Sequence, residues 1–131
     1  MPFLTFLIAD DNHDDLLLLK EALHSVNPSI EILRASDGKG AVDACAPPAS
    51  QNFDLVVLDY YLPVRTGKEI LLQLCSFQLS PPLRVVVLSS HLSAEEKASL
   101  LESGAAVVLE KPSDYDGYLS LARQLIGLVA G

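Results

Sequence analysis

The stretch FDLVVLD, residues 53–59, is the part of the sequence that decides the fold. Its core is an unbroken run of leucine and valine, which is typical of a strand buried on both faces of a parallel sheet. The run ends on the carboxylate of Asp59, and a helical pattern follows after Gly67. A buried strand, a loop and an amphipathic helix are the parts of a βαβ unit, so this stretch predicts an α/β fold.

The same alternation of short apolar strands and helical segments recurs along the whole chain. Strands are predicted at residues 4–9, 30–35, 53–59, 84–89 and 106–109, each followed by a helical pattern. The second helix is predicted at residues 40–46, behind a turn at residues 36–38. Ser93 and Glu96 form a capping-box motif at the start of the fourth helix, and Gly104 marks its end. The sequence therefore predicts five βα units around a parallel sheet.

Composition limits the function classes. The 131 residues suffice for one domain, and we expect a single domain over residues 1–131 with no output domain. Half of the residues are hydrophobic and 20% are charged, as in globular proteins. The net charge of −8 argues against binding to nucleic acid or to anionic membranes.

Two further features concern the compartment. Cys45 and Cys75 have neither metal-type nor redox-type spacing, so we expect two reduced thiols in the core. The apolar first nine residues carry no basic leader, and no apolar run reaches the roughly 18 residues that a membrane span needs. A cytoplasmic protein is expected.

Polar side chains follow four of the five predicted strands. Asp10 and Asp11 follow the first strand, Asp59 ends the third, Ser89 ends the fourth and Lys111 follows the fifth, whereas the second strand adds no candidate. The functional crevice of an open parallel sheet lies outside the carboxyl ends of its strands, so these groups should converge. Clustered carboxylates repel each other unless a cation lies among them, which predicts a Mg²⁺ site.

Such a site suits phosphoryl transfer. A carboxylate can attack a phosphoryl donor and hold the group as an acyl phosphate when metal and ammonium charges neutralise the phosphoryl oxygens. Asp59 is the best placed nucleophile, with Mg²⁺ and Lys111 beside it. An isolated acid behind a strand is often only a turn former or a helix cap, so the prediction depends on the joint placement of these residues.

These residues carry a resemblance to a known family. The sequence resembles the response-regulator receiver domain of two-component signalling, whose signature appears here in full order: Asp10-Asp11, Asp59, Pro63, Gly67, Ser89 and Lys111-Pro112. The resemblance covers essentially the whole chain. The segments at residues 11–19 and 111–116 are most similar to stand-alone regulators associated with bacterial phytochrome-type sensor kinases.

The resemblance implies the fold and the metal site. The expected fold is a flavodoxin-like (βα)5 three-layer sandwich whose parallel sheet has the strand order 2-1-3-4-5; the same family illustrates that order in general accounts of α/β folds. It implies that Asp11 and Asp59 bind Mg²⁺ directly, that Asp10 binds it through water, and that the Tyr61 backbone carbonyl is a further ligand.

It also implies roles in switching. The Ser89 hydroxyl is expected to hydrogen-bond the phosphoryl group on Asp59, Lys111 to pair with that group, and Pro112 to follow a cis peptide that positions the lysine.

Three positions are expected to tune or alter the switch. Many receivers carry Tyr or Phe three residues before the lysine, but this chain has Val108 there. A valine cannot report the switch by turning a ring inward, so the signal is expected to leave through the loop after Ser89 or through another face. The resemblance implies that Tyr61 and His91, two positions after Asp59 and Ser89, face the acyl phosphate, and we expect their rings to slow or tune its loss to water.

The predicted function is a non-enzymatic phosphoacceptor that takes its phosphoryl group from a sensor histidine kinase or histidine phosphotransfer protein and then binds an unknown downstream protein. The alternative is a receiver-fold adaptor that acts without phosphorylation. A flavin or nucleotide enzyme is disfavoured because no glycine-rich loop follows the first strand. A haloacid-dehalogenase-type hydrolase is disfavoured because Tyr61 stands where its second acid would be.

The last helix and the faces of strands four and five are where a homodimer interface is expected.

Overall fold

The computed structural model describes residues 3–47, 52–79 and 82–129. Strands and helices alternate strictly along these residues, as the sequence predicts. The elements in chain order are β1 (Thr5–Ala9), α1 (His13–Val26), β2 (Glu31–Ala35), α2 (Gly38–Cys45), β3 (Leu55–Asp59), α3 (Gly67–Cys75), β4 (Val85–Ser89), α4 (Ala94–Glu102), β5 (Val107–Glu110) and α5 (Tyr115–Val129).

All strands pair in parallel in the order β2-β1-β3-β4-β5, which confirms the predicted topology. The register aligns Ala9 of β1 with Leu58 of β3, and Asp59 of β3 with Leu88 of β4. The carboxyl ends of β1, β3 and β4 therefore lie side by side at one edge of the sheet. Residues that follow these strands are brought together by the pairing alone.

Alternate residues of the buried strands feed two separate hydrophobic cores, one on each face of the sheet. Phe6, Ile8 and Val57 point to the core that α1 and α5 cover. Leu7 and Val56 point to the opposite core, which α2, α3 and α4 cover. This arrangement is the expected three-layer sandwich, and it explains why the strands show no polar alternation.

Helix caps account for where the helices begin. The Ser93 capping box at the start of α4 is confirmed, since Ser93 Oγ accepts the Glu96 N–H at 3.1 Å and Glu96 Oε1 accepts the Ser93 N–H at 3.1 Å. The prediction for α2 was wrong by two residues. Asp37 accepts the Gly40 N–H at 2.7 Å and starts the helix at Gly38 rather than at residue 40.

The two cysteines differ in environment. Cys45 is buried in the core under α2, and burial raises the pKa of its thiol to about 11. Cys75, at the end of α3, is exposed, so the prediction that both thiols lie in the core was wrong for this residue. Its sulfur lies beside Gly104, whose φ of 117° ends α4 as predicted.

Among the described residues, no helix is both long enough and apolar enough to cross a membrane.

Candidate functional site

The predicted acids meet at the carboxyl edge of the sheet. Asp10 follows β1 directly and Asp59 is the last residue of β3; their exposures are only 4% and 6%. Asp11 is exposed beside them, and one carboxylate oxygen from each of the three acids lies within 4.8 Å of the others. Asp11 and Asp59 border a crevice of about 350 Å³ that opens to solvent between the strand ends. The structure thus brings the predicted acids together.

Lys111, which follows β5, extends its ammonium group into this cluster. Its Nζ lies 3.1 Å from Asp10 Oδ2, 3.0 Å from Asp59 Oδ2 and 2.9 Å from Asp15 Oδ2, and the side chain is only 13% exposed. Burial alone would lower the pKa of Lys111, but the hydrogen bond to Asp15 and the charges of Asp59 and Asp10 outweigh it and raise that pKa. The ammonium therefore stays charged at neutral pH.

Backbone amides hold the two buried acids in place. The Asn12 N–H donates to Asp10 Oδ1 at 2.9 Å, and the Tyr61 N–H donates to Asp59 Oδ1 at 3.1 Å. Burial raises the pKa of Asp10 above its usual value, although the Asn12 amide and Lys111 act in the opposite direction. The Tyr61 peptide thus lies against Asp59, and the role of its carbonyl as a metal ligand stays a prediction.

The predicted switch serine lies at the end of β4 and is buried. Ser89 Oγ accepts the His91 N–H at 3.2 Å, and the Ser89 carbonyl accepts the Lys111 N–H at 2.9 Å. The hydroxyl therefore anchors the start of the β4–α4 loop. Because this hydroxyl bonds a loop amide, any group that draws the hydroxyl away also breaks the contact that holds the loop.

Tyr61 and His91 are connected by a hydrogen bond between their two loops. Tyr61 is 56% exposed, and its Oη donates to the His91 carbonyl oxygen at 3.1 Å. The ring also meets Tyr60 edge-on, with 5.0 Å between centroids. The β3–α3 loop is thereby linked to the β4–α4 loop through a side chain, and the aromatic ring of Tyr61 lies at the crevice wall.

The remaining predicted positions lie around this centre. Val108 of β5 is half-buried against the core under α4. It lines a cavity of about 90 Å³ together with His91, Leu92 and Lys97. Pro112 is half-buried and lines the crevice beside Lys111. The space beside Val108 is the place that a larger side chain at this position would fill.

Two residues of the site were missed in the sequence. Asp15 lies in the first turn of α1, and its position three residues after the N-cap Asn12 was a signal that it faces the same loop as Asp11. Arg34 of β2 donates to the Asp10 carbonyl oxygen from Nε and Nη2, at 3.4 and 3.3 Å. The expectation that β2 adds nothing to the site was therefore wrong, because its arginine holds the backbone between the first two acids.

The three acids suit a hard divalent cation. Their oxygens are of the type that Mg²⁺ prefers, and at least three of them can face one point. Asp10 and Asp59 each offer one oxygen to Lys111 and the other to an amide, so both carboxylates are held in fixed orientations at the strand ends. The donor set therefore fits the expected metal.

An open parallel sheet with this strand order and a carboxylate cluster at its carboxyl edge defines a flavodoxin-like α/β protein with an acidic site. The chain belongs to the response regulator receiver domain family, whose model matches residues 6–122. The resemblance seen in the sequence is thus confirmed.

Curated relatives agree with this family. The chain is 34% identical over 109 residues to the sensor histidine kinase GacS of Pseudomonas protegens, covering 81% of this chain and 11% of that protein. It is 30% identical over 122 residues to the transcriptional regulatory protein KdpE of Mycobacterium tuberculosis, covering 92% of this chain and 50% of that protein. The chain spans half or less of the length of these relatives.

Solved structures share the fold. The phosphorylated cyanobacterial phytochrome response regulator RcpA superposes with a TM-score of 0.86 at 20% identity, covering 99% of this chain and 96% of that one. Response regulator RPA3017, in red light signalling of R. palustris, superposes with a TM-score of 0.84 at 24% identity, covering 95% and 92%. A phytochrome response regulator is therefore among the proteins with the same architecture.

Proposed function

We propose that the chain is a phosphorylation-controlled response regulator that accepts a phosphoryl group on Asp59 in the presence of Mg²⁺. The observation that supports this most is the setting of Asp59, which is buried at a strand end between the Lys111 ammonium and two further carboxylates. The phosphoryl donor is a sensor histidine kinase or a histidine phosphotransfer protein. The proposal rests on this setting together with membership of the receiver family.

Asp59 acts as the nucleophile. One of its carboxylate oxygens forms the new P–O bond while the P–N bond of the donor's phosphohistidine breaks, and the electron pair of that bond returns to the imidazole. The Tyr61 amide holds the other oxygen, so the carboxylate stays oriented during the transfer.

Charge neutralisation is divided among the neighbours. Asp10, Asp11 and Asp59, with the Tyr61 carbonyl, would hold Mg²⁺, which when bound screens the charge of the incoming phosphoryl group. Lys111 changes partner from the Asp59 carboxylate to an oxygen of the phosphoryl group that Asp59 has accepted. The two cations together offset the repulsion between a phosphoryl group and three acids.

The signal leaves through the β4–α4 loop. When Ser89 Oγ turns to hydrogen-bond the phosphoryl group, it gives up the His91 amide, and the loop follows. Val108 leaves open a cavity beside His91 and Leu92 into which the loop can move. The changed surface then binds a downstream protein, which makes the chain a signalling component rather than an enzyme.

The proposal is tested by incubating the protein with acetyl phosphate and MgCl2 and measuring its intact mass. Wild type is expected to gain one phosphoryl group. Asp59→Asn is expected to gain none, and Asp14→Asn, which removes an exposed acid from α1, to gain as much as wild type. If wild type gains no phosphoryl mass, the receiver-fold adaptor that works without phosphorylation is the better description.

A further inference from the structure

Lys111 binds one acid that lies outside the cluster of candidate metal ligands. The three acids whose oxygens gather within 4.8 Å are Asp10, Asp11 and Asp59, whereas the shortest ion pair of Lys111 is the 2.9 Å contact to Asp15. Asp15 is one-third exposed and lines the same crevice. Lys111 therefore has a partner that a metal ion bound to the cluster would leave available.

The position of Asp15 is fixed by its helix. It stands in the first turn of α1, and its N–H donates to Asn12 Oδ1 at 3.0 Å. The loop before it is held in turn, because Asn12 donates to Asp10 and Arg34 donates to the Asp10 carbonyl. Asp15 thus reaches Lys111 from a fixed backbone site rather than from a mobile surface side chain.

Metal binding and Lys111 compete for the same carboxylates. The ammonium contacts Oδ2 of both Asp10 and Asp59, which are two of the candidate metal ligands. Two cations that share the same oxygens repel each other, and the repulsion is stronger in a partly buried site than in water. An ammonium held only by these two acids would have to leave them when a divalent cation binds.

We propose that Asp15 is a positioning residue for Lys111: it keeps the ammonium at the crevice when Mg²⁺ takes Asp10 and Asp59. The lysine then stays within reach of the phosphoryl group without opposing the metal. This role rests on the proposed function, because it concerns the same site. Asp15 itself touches neither the metal nor the phosphoryl group.

The proposal predicts how Asp15→Asn changes Mg²⁺ affinity. Without the Asp15 carboxylate, Lys111 pairs only with Asp10 and Asp59 and competes with the metal for them. We expect the Mg²⁺ affinity of Asp15→Asn to fall about three- to tenfold, as measured by isothermal titration calorimetry with MgCl2. Phosphorylation by acetyl phosphate should slow at subsaturating Mg²⁺.

Asp14→Asn is the matched control. It removes the same charge from the same turn of α1, but Asp14 is exposed and does not line the crevice. Its effect on Mg²⁺ affinity is expected to be less than twofold, because solvent and salt screen exposed charges. Equal losses in Asp14→Asn and Asp15→Asn would mean that only net charge matters, and would overturn the proposal.

The same two substitutions in a Lys111→Met background separate positioning from a direct effect on the metal. If Asp15 acts through Lys111, the difference between them should disappear there. A difference that survives without the lysine, or wild type that binds no Mg²⁺ at millimolar concentration, would overturn the role of Asp15. The mass measurement with acetyl phosphate tests the proposed function separately. If wild type is phosphorylated but Asp14→Asn and Asp15→Asn bind Mg²⁺ with equal affinity, only the positioning role of Asp15 is wrong.

Discussion

At the scale of single residues, Val64 is under backbone strain. It lies in the β3–α3 loop with φ of 73°, in the left-handed region, and its side chain is fully exposed. A β-branched residue is rarely found in this conformation, because its Cβ substituents crowd the backbone. No packing contact offsets that cost, since the side chain lies in solvent. The strain is therefore a local loss of stability at the rim of the site.

Replacing this valine should stabilise the protein. Asparagine tolerates the left-handed region, so Val64→Asn is expected to raise the free energy of unfolding by about 1 kcal/mol. Urea denaturation followed by circular dichroism measures the change. Val64→Ile, which keeps the β-branch, is the control and should leave the midpoint where it is; a gain of the same size in Val64→Ile would show that strain is not the cause.

At the scale of elements, local sequence signals predicted where helices begin better than they predicted tertiary contacts. The capping box of Ser93 was readable in the sequence, and the Thr66–Glu69 box at the start of α3 has the same motif and was overlooked. Helix α2 begins at Gly38 because Asp37 caps it, but the Ser-Asp-Gly sequence around Asp37 is also typical of a turn. The spacing of Asp15 from Asn12 was a local signal that this acid lies near the site, but its ion pair with Lys111 depends on tertiary packing. Arg34 could not be assigned to the site, because its contact to Asp10 comes from the pairing of β2 with β1.

The two loops at the crevice are elements whose connection can be tested. Tyr61→Phe removes the hydroxyl that donates to the His91 carbonyl but keeps the ring. The ring is then less firmly held at the crevice wall and admits water more readily, so the phosphoryl group on Asp59 should be lost about two- to fivefold faster, in line with the loss of one hydrogen bond. The decay of the phosphorylated mass after removal of acetyl phosphate gives the lifetime.

His91→Ala is the informative comparison for that experiment. It removes the imidazole but keeps the backbone carbonyl, so the Tyr61 hydrogen bond remains available. A shortened lifetime in Tyr61→Phe with little change in His91→Ala would assign the effect to the bond between the loops. If Tyr61→Phe has the lifetime of wild type, the bond does not control access of water.

At the scale of the whole molecule, the fold and the site follow from one arrangement. Parallel pairing places the ends of β1, β3 and β4 together, which is why acids far apart in sequence could be predicted to meet. The order of the strands was predictable only from the family resemblance, because periodicity shows that strands exist and not which ones pair. At this edge four carboxylates, those of Asp10, Asp11, Asp15 and Asp59, gather around the Lys111 ammonium, which only partly neutralises them.

This cluster should make the protein less stable than it would be with a neutral residue at position 10. Burial raises the pKa of Asp10 above its ordinary value of 3.8, so the folded state binds more protons than the unfolded state between that value and the raised one. The contribution of Asp10 to the free energy of unfolding therefore falls as pH rises through this window, and stays low at neutral pH. Asp10→Asn should raise the melting temperature at pH 7 in the absence of Mg²⁺. It should also reduce the loss of stability that wild type shows as pH rises above about 4.

Adding MgCl2 gives the converse result. The metal relieves the repulsion in wild type and binds only the folded state, so it should raise the wild-type melting temperature, with the logarithm of its concentration once that concentration exceeds its Kd. The rise should be much smaller in Asp10→Asn, which lacks one of the three acids. A melting temperature of Asp10→Asn below that of wild type without Mg²⁺ would mean that the ion pair with Lys111 outweighs the burial of the charge, and that the site is held together by its charges rather than strained by them.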